Sequence, residues 1–298
     1  MAGEYTLFGR TVEVTVVMPS GRTTTFTSLP LRLSDRPKPN ISVKASYKVD
    51  GKPPKCTLKL LNPPQALVGE ALAAGSGAVV QVRAGYDGKL DEIFTGKAIR
   101  EGVSFSAPGG KDAELAFECV AGAKLYREAI ASISVTGRVT AKQLIQQACN
   151  QAGYLVKGLD EVPDIVFPNG YYATSNVSVL LDKLAAITKT TISYTSDTTV
   201  KITGRQVPPS GTERVPFFDQ EQAGVIGTLT KTDKGLKFKV LLRAEIRPGS
   251  YVSIRYYDFV AGTYVISTVR VSDVTFNLST YGKNFYTSIV GKEVERAV

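Results

Sequence analysis

Twenty-seven carboxylates, five of them singled out here, three thiols and no imidazole are what this chain offers for chemistry. His is absent, and His is the side chain that most often moves protons near neutral pH. Triads of the Ser-His-Asp and Cys-His kinds are therefore excluded. Asp91, Glu92, Glu101, Asp219 and Glu221 could serve a glycosidase, which needs only two carboxylates. Sugar clefts often use an indole as an apolar stacking face, and the chain has no Trp. Charged residues at strand ends are the commoner reading of these five. Cys56, Cys119 and Cys149 lie far apart, with no CxxC spacing. A zinc site would have to be built from Cys and carboxylate alone. Three buried thiols in a reducing compartment are expected instead. There is no GxxxxGK[ST], and the Gly-rich "AGSGAVV" runs into a strand, not a helix, so it fails as a phosphate-binding turn. Neither enzyme activity nor a cofactor nor a metal is expected.

The net charge is +9 over 298 residues. The cations do not cluster. They alternate with apolar residues, as in "KGLKFKVLLR" and "VSIRYY", which describes solvated faces of half-buried strands or else a polyanion-binding surface. Of the 14 tyrosines, Tyr251, Tyr256, Tyr257, Tyr264 and Tyr286 fall in the expected strands of the same region. Basic strands interleaved with rings suit a single-stranded nucleic-acid platform on an OB-like barrel. They equally suit a protein interface, where Tyr and Arg are enriched.

The elements around these residues follow from periodicity. From residue 5 to about 125 the period is two: "TVEVTVVM", "ISVKASYKV", "KCTLKLLN", "AVVQVRAGY", "EIFTGKAIREGVSFS" and "ELAFECVAG". Pro19-Ser20-Gly21 and Asp87-Gly88 read as turns, and "QALVGEALAAGSG" as a short helix ending at Gly75. Near residue 138 the period becomes helical. Thr140 and Gln143 have capping-box spacing, Leu144, Ile145, Ala148 and Ala152 share a face, and Gly153 suits the C-terminal cap. A second helix carries the stripe Val177, Leu180, Leu181, Leu184 and Ile187. A hairpin turning at Ser196-Asp197 follows, then the linker-like "GRQVPPSGTERVP". From 215 onward the pattern is β again, with five strands expected: "GVIGTLTKTD", "GLKFKVLLR", "SYVSIRYYDFV", "GTYVISTVRVSDVTFN" and "NFYTSIVGKEVE". The fold class is mainly β with a small α/β insertion. Two related β-barrels, residues 1–130 and 207–298, flank a helix–hairpin domain at 131–206. No run of about 18 apolar residues occurs. The start lacks the blocks of a signal peptide, so synthesis and retention in a cytoplasm are expected.

The two β regions align with each other. Leu60-Leu61 sits against Leu241-Leu242, "VVQVRAGY" (79–86) against "YVSIRYYD" (251–258), and "IFTGKAIREGVSF" (93–105) against "YVISTVRVSDVTF" (264–276). An internal duplication is the reading of this order.

These stretches carry a family resemblance. "ISVKASYKVDGKPPKCTLKLLNPP", "VQVRAGYDGKLDEIFTGKA", "NVSVLLDKLAAITKTTISYTSDTTVKI" and, most specifically, "GLKFKVLLRAEIRPGSYV" resemble the baseplate hub proteins of contractile-tailed phages, the late-control-protein-D-like group. The middle stretch is also similar to the N-domains of secretins. The resemblance implies a homotrimer of two-barrel chains, whose six barrels join a six-fold tail tube to a three-fold central spike. It implies residence in the virion after synthesis in the host cytoplasm. It implies contacts with tail tube, spike, tape measure and baseplate wedge proteins, and a lumen through which DNA passes. Under it, Arg243, Arg247, Tyr251, Arg255 and Tyr257 are candidate interface residues. It brings no catalytic residues, and no appended peptidoglycan hydrolase is expected. A secretion or injection-device component and an OB-like nucleic-acid-binding protein are the alternatives.

Overall fold

A computed structural model describes residues 9–28, 40–49, 52–107, 112–122, 129–194, 198–204, 215–222, 224–233, 235–280 and 283–294. The chain divides into two compact units. Met1–Tyr47, Lys55–Cys119 and Pro208–Val298 make the first, and Lys48–Pro54 with Val120–Val207 the second.

The first unit opens with β1 (Arg10–Val17), β2 (Thr23–Thr27), β3 (Asn40–Lys48), β4 (Lys55–Leu61), α1 (Gln65–Ala74), β5 (Val79–Tyr86), β6 (Lys89–Ser106) and β7 (Glu114–Val120). Alternation sets their faces: Ile41, Val43, Ala45 and Tyr47 of β3 are buried, as are Cys56, Leu58 and Leu60 of β4. Gly75 caps α1 in the left-handed conformation, at φ 63°. Asp87 and Gly88 both have positive φ and join β5 to β6, the geometry a two-residue hairpin needs.

The second unit holds β8 (Ile130–Val135), β9 (Val139–Thr140), α2 (Ala141–Gln151), β10 (Leu155–Lys157), a short 3-10 turn, β11 (Val166–Phe167), β12 (Tyr171–Asn176), α3 (Val177–Thr188), β13 (Thr191–Tyr194) and β14 (Thr199–Thr203). The capping box forms: the Gln143 amide donates to Thr140 Oγ1, and the Thr140 amide to Gln143 Oε1. Leu144, Ile145, Leu180, Leu181 and Leu184 make its core with Ile192 and Ile202. Ile187 departs from the expected stripe and is 45% exposed. Thr188 is buried in the last turn instead, its hydroxyl donating to the Leu184 carbonyl. The expected hairpin turn at Ser196-Asp197, and nearly all of the expected linker, lie outside the described residues.

The chain returns to the first unit with β15 (Phe217–Asp219), β16 (Thr230–Thr232), β17 (Gly235–Leu241), β18 (Tyr251–Asp258), β19 (Thr263–Ser279) and β20 (Phe285–Val294). The expected strand "GVIGTLTKTD" shrinks to β16 and a single bridge between Val225 and Val240.

The thirteen strands among the described residues of this unit join one sheet, in the order β16-β17-β20-β19-β3-β4-β7-β6-β5-β1-β2, with β18 branching from β19 and β15 from β18. Among the described residues the path does not close on itself. A period of two fixes which face of a strand is buried but not whether the last strand meets the first. The mainly β class with a helix-bearing unit stands, and the two β regions share one path.

Within that path the two regions repeat one connectivity. β3-β4-β7-β6-β5 and β16-β17-β20-β19-β18 have the same order relative to sequence, and β1 and β15 add a further strand beyond β5 and β18. β1 is antiparallel to its neighbour and β15 parallel. The two long strands share an irregularity as well. In β19, Val271 and Asp273 pair with successive residues of β20, leaving Ser272 as the extra residue of a bulge. Glu101, aligned with Ser272, has a φ of 62° inside β6. Arg83 and Arg255 also align. Each faces a carboxylate on the added strand: Arg83 lies 3.3 Å from Glu13 of β1, and Arg255 lies 3.0 Å from Asp219 of β15.

Candidate assembly surface

Strand β18 brings three of the five predicted interface residues onto one side. Val252, Ile254 and Tyr256 point into the core. Tyr251, Arg255 and Tyr257 occupy alternate positions on the other face. Across the β18–β19 ladder, Ile266 stands opposite Arg255 and Tyr264 opposite Tyr257. Phe217 of β15 extends the same surface. Ile266 is 60% exposed, and Phe217 and Tyr264 are exposed as well.

Arg255 organises this face. Its Nη1 donates to Asp219 Oδ2 and to Glu221 Oε2, each at 3.0 Å. Its guanidinium carbon lies 4.5 Å from the centre of the Tyr264 ring. The hydrogen bond to Asp219, foremost, pushes the Arg255 pKa up further, and a hydrogen bond to Glu221 does the same to the Tyr264 phenol. Asp219 is buried, and its other oxygen accepts the Glu221 amide. Two of the carboxylates that a glycosidase might have used are thus engaged by one guanidinium. The Tyr257 ring packs edge-on against Phe259 at 5.2 Å and Tyr264 at 5.3 Å.

The hairpin tip beyond Tyr257 is apolar and shaped. Phe259 is 79% exposed and Val260 96%. Asp258 Oδ1 accepts the amides of Val260 at 2.9 Å and Ala261 at 3.3 Å, and Oδ2 accepts Lys231 Nζ at 2.6 Å. Gly262 completes the turn at φ 66°. Lys231, then the two amides, hold the Asp258 carboxyl below its ordinary range. A depressed carboxyl pKa contributes order above the ordinary aspartate value and loses it as pH falls through the depressed one. Hydrogen exchange at the Val260 and Ala261 amides, corrected for intrinsic rates, is therefore expected to speed up on acidification through that window. Asp258→Ala should exchange fast at every pH, and a parent rate that does not change with acid would mean that the carboxylate does not hold the turn.

The other two predicted residues lie elsewhere. Arg243, in the β17–β18 connection, donates its backbone amide to Thr287 Oγ1 at 3.0 Å, and its guanidinium lies 3.8 Å from Glu245. Arg247 turns into the unit. Its Nη2 donates to the Glu92 carbonyl at 2.7 Å, and its guanidinium carbon lies 5.0 Å from the Tyr47 ring centre and 4.9 Å from that of Phe276. The Tyr47 hydroxyl donates to the Ile93 carbonyl at 2.7 Å, and burial drives that phenol's pKa far up. Arg247 therefore ties the second β region to β3 and β6 of the first.

Sequence reasoning named the tyrosines and arginines but not Phe217, Phe259, Val260 or Ile266. The visible signal was "DFVAGT", two apolar residues where a hairpin turn calls for polar ones. All three cysteines are free and buried, and burial pushes the thiols of Cys119 and Cys149 up to about 12 and Cys56 well up too, so thiolate chemistry is suppressed.

Comparisons with known proteins give the setting in which this exposed aromatic surface occurs. The family described as baseplate hub gp41 matches residues 12–291. This chain belongs to the baseplate hub gp41 family. Membership makes it a structural component of a phage tail baseplate, hence of the virion, in association with other tail components. No curated protein sequence matches this hub. Its fold is similar to that of a tail protein from Neisseria meningitidis MC58, with TM-score 0.60, 12% identity, and 95% and 97% of the two chains covered. It is also similar to the 43 kDa tail protein of prophage MuSo2 from Shewanella oneidensis, with TM-score 0.58, 11% identity, and 94% and 97% covered. A third similar fold is the E. coli c3393 protein, a type VI secretion component described as structurally similar to the T4 tail proteins gp27 and gp5. There the TM-score is 0.57, identity 10%, and coverage 88% and 76%. Among the described residues of the hub, no helix is long and apolar enough to cross a membrane.

Proposed function

We propose that this hub works as a homotrimer in which the β regions of residues 1–130 and 207–298 act as two related tube-type barrels, with 131–206 as an inserted domain. Three chains then present six near-equivalent β units to a six-fold tail tube while keeping three-fold symmetry for a central spike. The observation that carries this reading is the repeated strand order, β3-β4-β7-β6-β5 against β16-β17-β20-β19-β18, with its shared long-strand irregularity and aligned Arg83 and Arg255. The face of Tyr251, Arg255 and Tyr257 serves the contact between copies. The remaining partners are tape measure and wedge proteins, and DNA passes through the assembled lumen. The role is structural, with synthesis in the host cytoplasm before incorporation into a contractile tail.

Light scattering over a range of concentrations tests this. The expected species is a trimer of about 96 kDa, three chains of 32.0 kDa. A monomer that persists at every concentration, and also with the spike protein added, would remove the six-unit ring.

A further inference from the structure

A concavity of about 370 Å³ lies on the solvent face of the sheet where β17, β20, β19 and β3 run side by side. It is lined by Lys237 and Lys239, Tyr286, Thr275 and Asn277, and Lys44, one group from each strand in turn. A second hollow of about 280 Å³ continues over β3 and β4, sharing Lys44 and Asn277 and adding Lys59. Lys59 is neutralised by Glu114 at 2.9 Å, and Asp273 is the carboxylate in the first hollow. Among the described residues Lys44 and Lys237 form no ion pair, and Lys239 Nζ lies 5.1 Å from the Tyr286 ring centre. The core side of β17 is satisfied by Leu236, Phe238 and Val240. Packing therefore places no demand for lysine at the alternate positions, and like charges on neighbouring positions cost stability.

The spacing points to a polymer. Lys237 and Lys239, two residues apart on one strand, are separated by about 7 Å, and Lys44 stands three strand spacings away, about 14 Å. A single small anion cannot touch all three. A chain of anions can, and apart from Asp273 and Val290 in the row of Lys237 the lining between the lysines is hydroxyl, amide and aromatic. Those are the groups that position a phosphodiester backbone and stack on a base. We propose that this lysine-lined face of β17, β20, β19 and β3 binds the phosphate backbone of single-stranded nucleic acid without regard to sequence, with Tyr286 as a stacking ring. An extended acidic polypeptide would match the charges but has no use for the ring. The inference concerns one chain and does not depend on trimer formation.

The test is fluorescence anisotropy of a labelled oligothymidylate with the full chain across a salt series. The logarithm of the binding constant should fall linearly with the logarithm of salt. Combining Lys44→Gln, Lys237→Gln and Lys239→Gln, all at exposed positions, should leave the circular dichroism spectrum unchanged. It should lower the slope by about 2, at about 0.7 per phosphate contact, and weaken low-salt binding by about tenfold or more. Tyr286→Leu should weaken binding by about tenfold with the slope intact. Three results would overturn the proposal: no binding by the parent at the lowest salt, a triple variant that binds like the parent, or displacement of the oligonucleotide by oligoglutamate at equal charge concentration. The last would assign the face to an acidic polypeptide. None of them bears on the mass of the assembly, so this inference and the trimer fail separately.

Discussion

Arg247→Ala is expected to lower the unfolding free energy by about 2–4 kcal/mol, read as a lower urea midpoint with an unchanged slope. The side chain makes a charge-assisted hydrogen bond to the Glu92 carbonyl, a class of bond that contributes about 1.5–3 kcal/mol. It also lies over two rings, Tyr47 and Phe276, and cation–π contacts add about 0.5–2 kcal/mol. Truncation would leave Phe276, fully buried, with a gap on one side. Arg247→Lys keeps the charge but loses the planar group that covers both rings, so it should recover less than half of the loss. A change below about 0.5 kcal/mol, with a loss of trimer instead, would return Arg247 to the role of a subunit contact.

Arg247 also shows where sequence reading stops. "EIRPGS" sits in a loop rich in polar residues, and an arginine there reads as exposed. Its inward turn depends on Tyr47 and Glu92, more than 150 positions earlier in the chain, and no local pattern carries that information. The same limit hid the seam of the sheet. Alternation in "ISVKASYKV" and "VSDVTFN" marks the buried faces of β3 and β19 correctly. Their adjacency is visible only in the structure, in the Ile41 amide bound to Thr280 and in Ser46 beside Thr275. Local signals, in contrast, were legible. The Thr140 capping box, the Gly75 cap and the Asp87-Gly88 hairpin each depend on a few contiguous residues whose conformations the residue types impose. Ile187 was misplaced because a helical stripe extrapolated to the last turn ignores how the chain leaves the helix. Lys189 adopts the left-handed conformation there, and Thr188 takes the buried position.

The aligned arginines separate what the repeats share from what they do not. Arg83 and Arg255 hold the same place and the same kind of partner, so the shared feature stabilises each β unit from within. Around them the surfaces diverge. The β5–β6 hairpin turns tightly on Asp87 and Gly88, with Asp91 and Glu92 exposed beside it, whereas β18–β19 turns on Phe259 and Val260, with Ile266 and Tyr264 beside it. Two copies of one framework with one polar and one apolar hairpin surface cannot make the same contact twice. Among the described residues only one of the two repeats carries the apolar hairpin surface, which suits a heterologous contact that would recur three times around a three-fold axis.

Ile266→Asp tests that step. Ile266 is 60% exposed on a strand edge-paired to Arg255, so the folded monomer loses little by the change, and its urea midpoint should stay within about 0.5 kcal/mol of the parent. In the trimer the new carboxylate would be buried without a partner, because Arg255 is already held by Asp219 and Glu221. An uncompensated charge in an interface costs several kcal/mol, and each 1.4 kcal/mol is about a tenfold change, so the concentration needed for trimer formation should rise by about 100-fold or more. In the proposed ring the contact would recur at each subunit boundary, so the penalty would be met three times. Scattering mass at a fixed concentration should fall from trimer to monomer, with the far-ultraviolet spectrum unchanged. A variant that remains trimeric would place the subunit contact elsewhere on the molecule and leave the aromatic face of β18 to a different component of the baseplate.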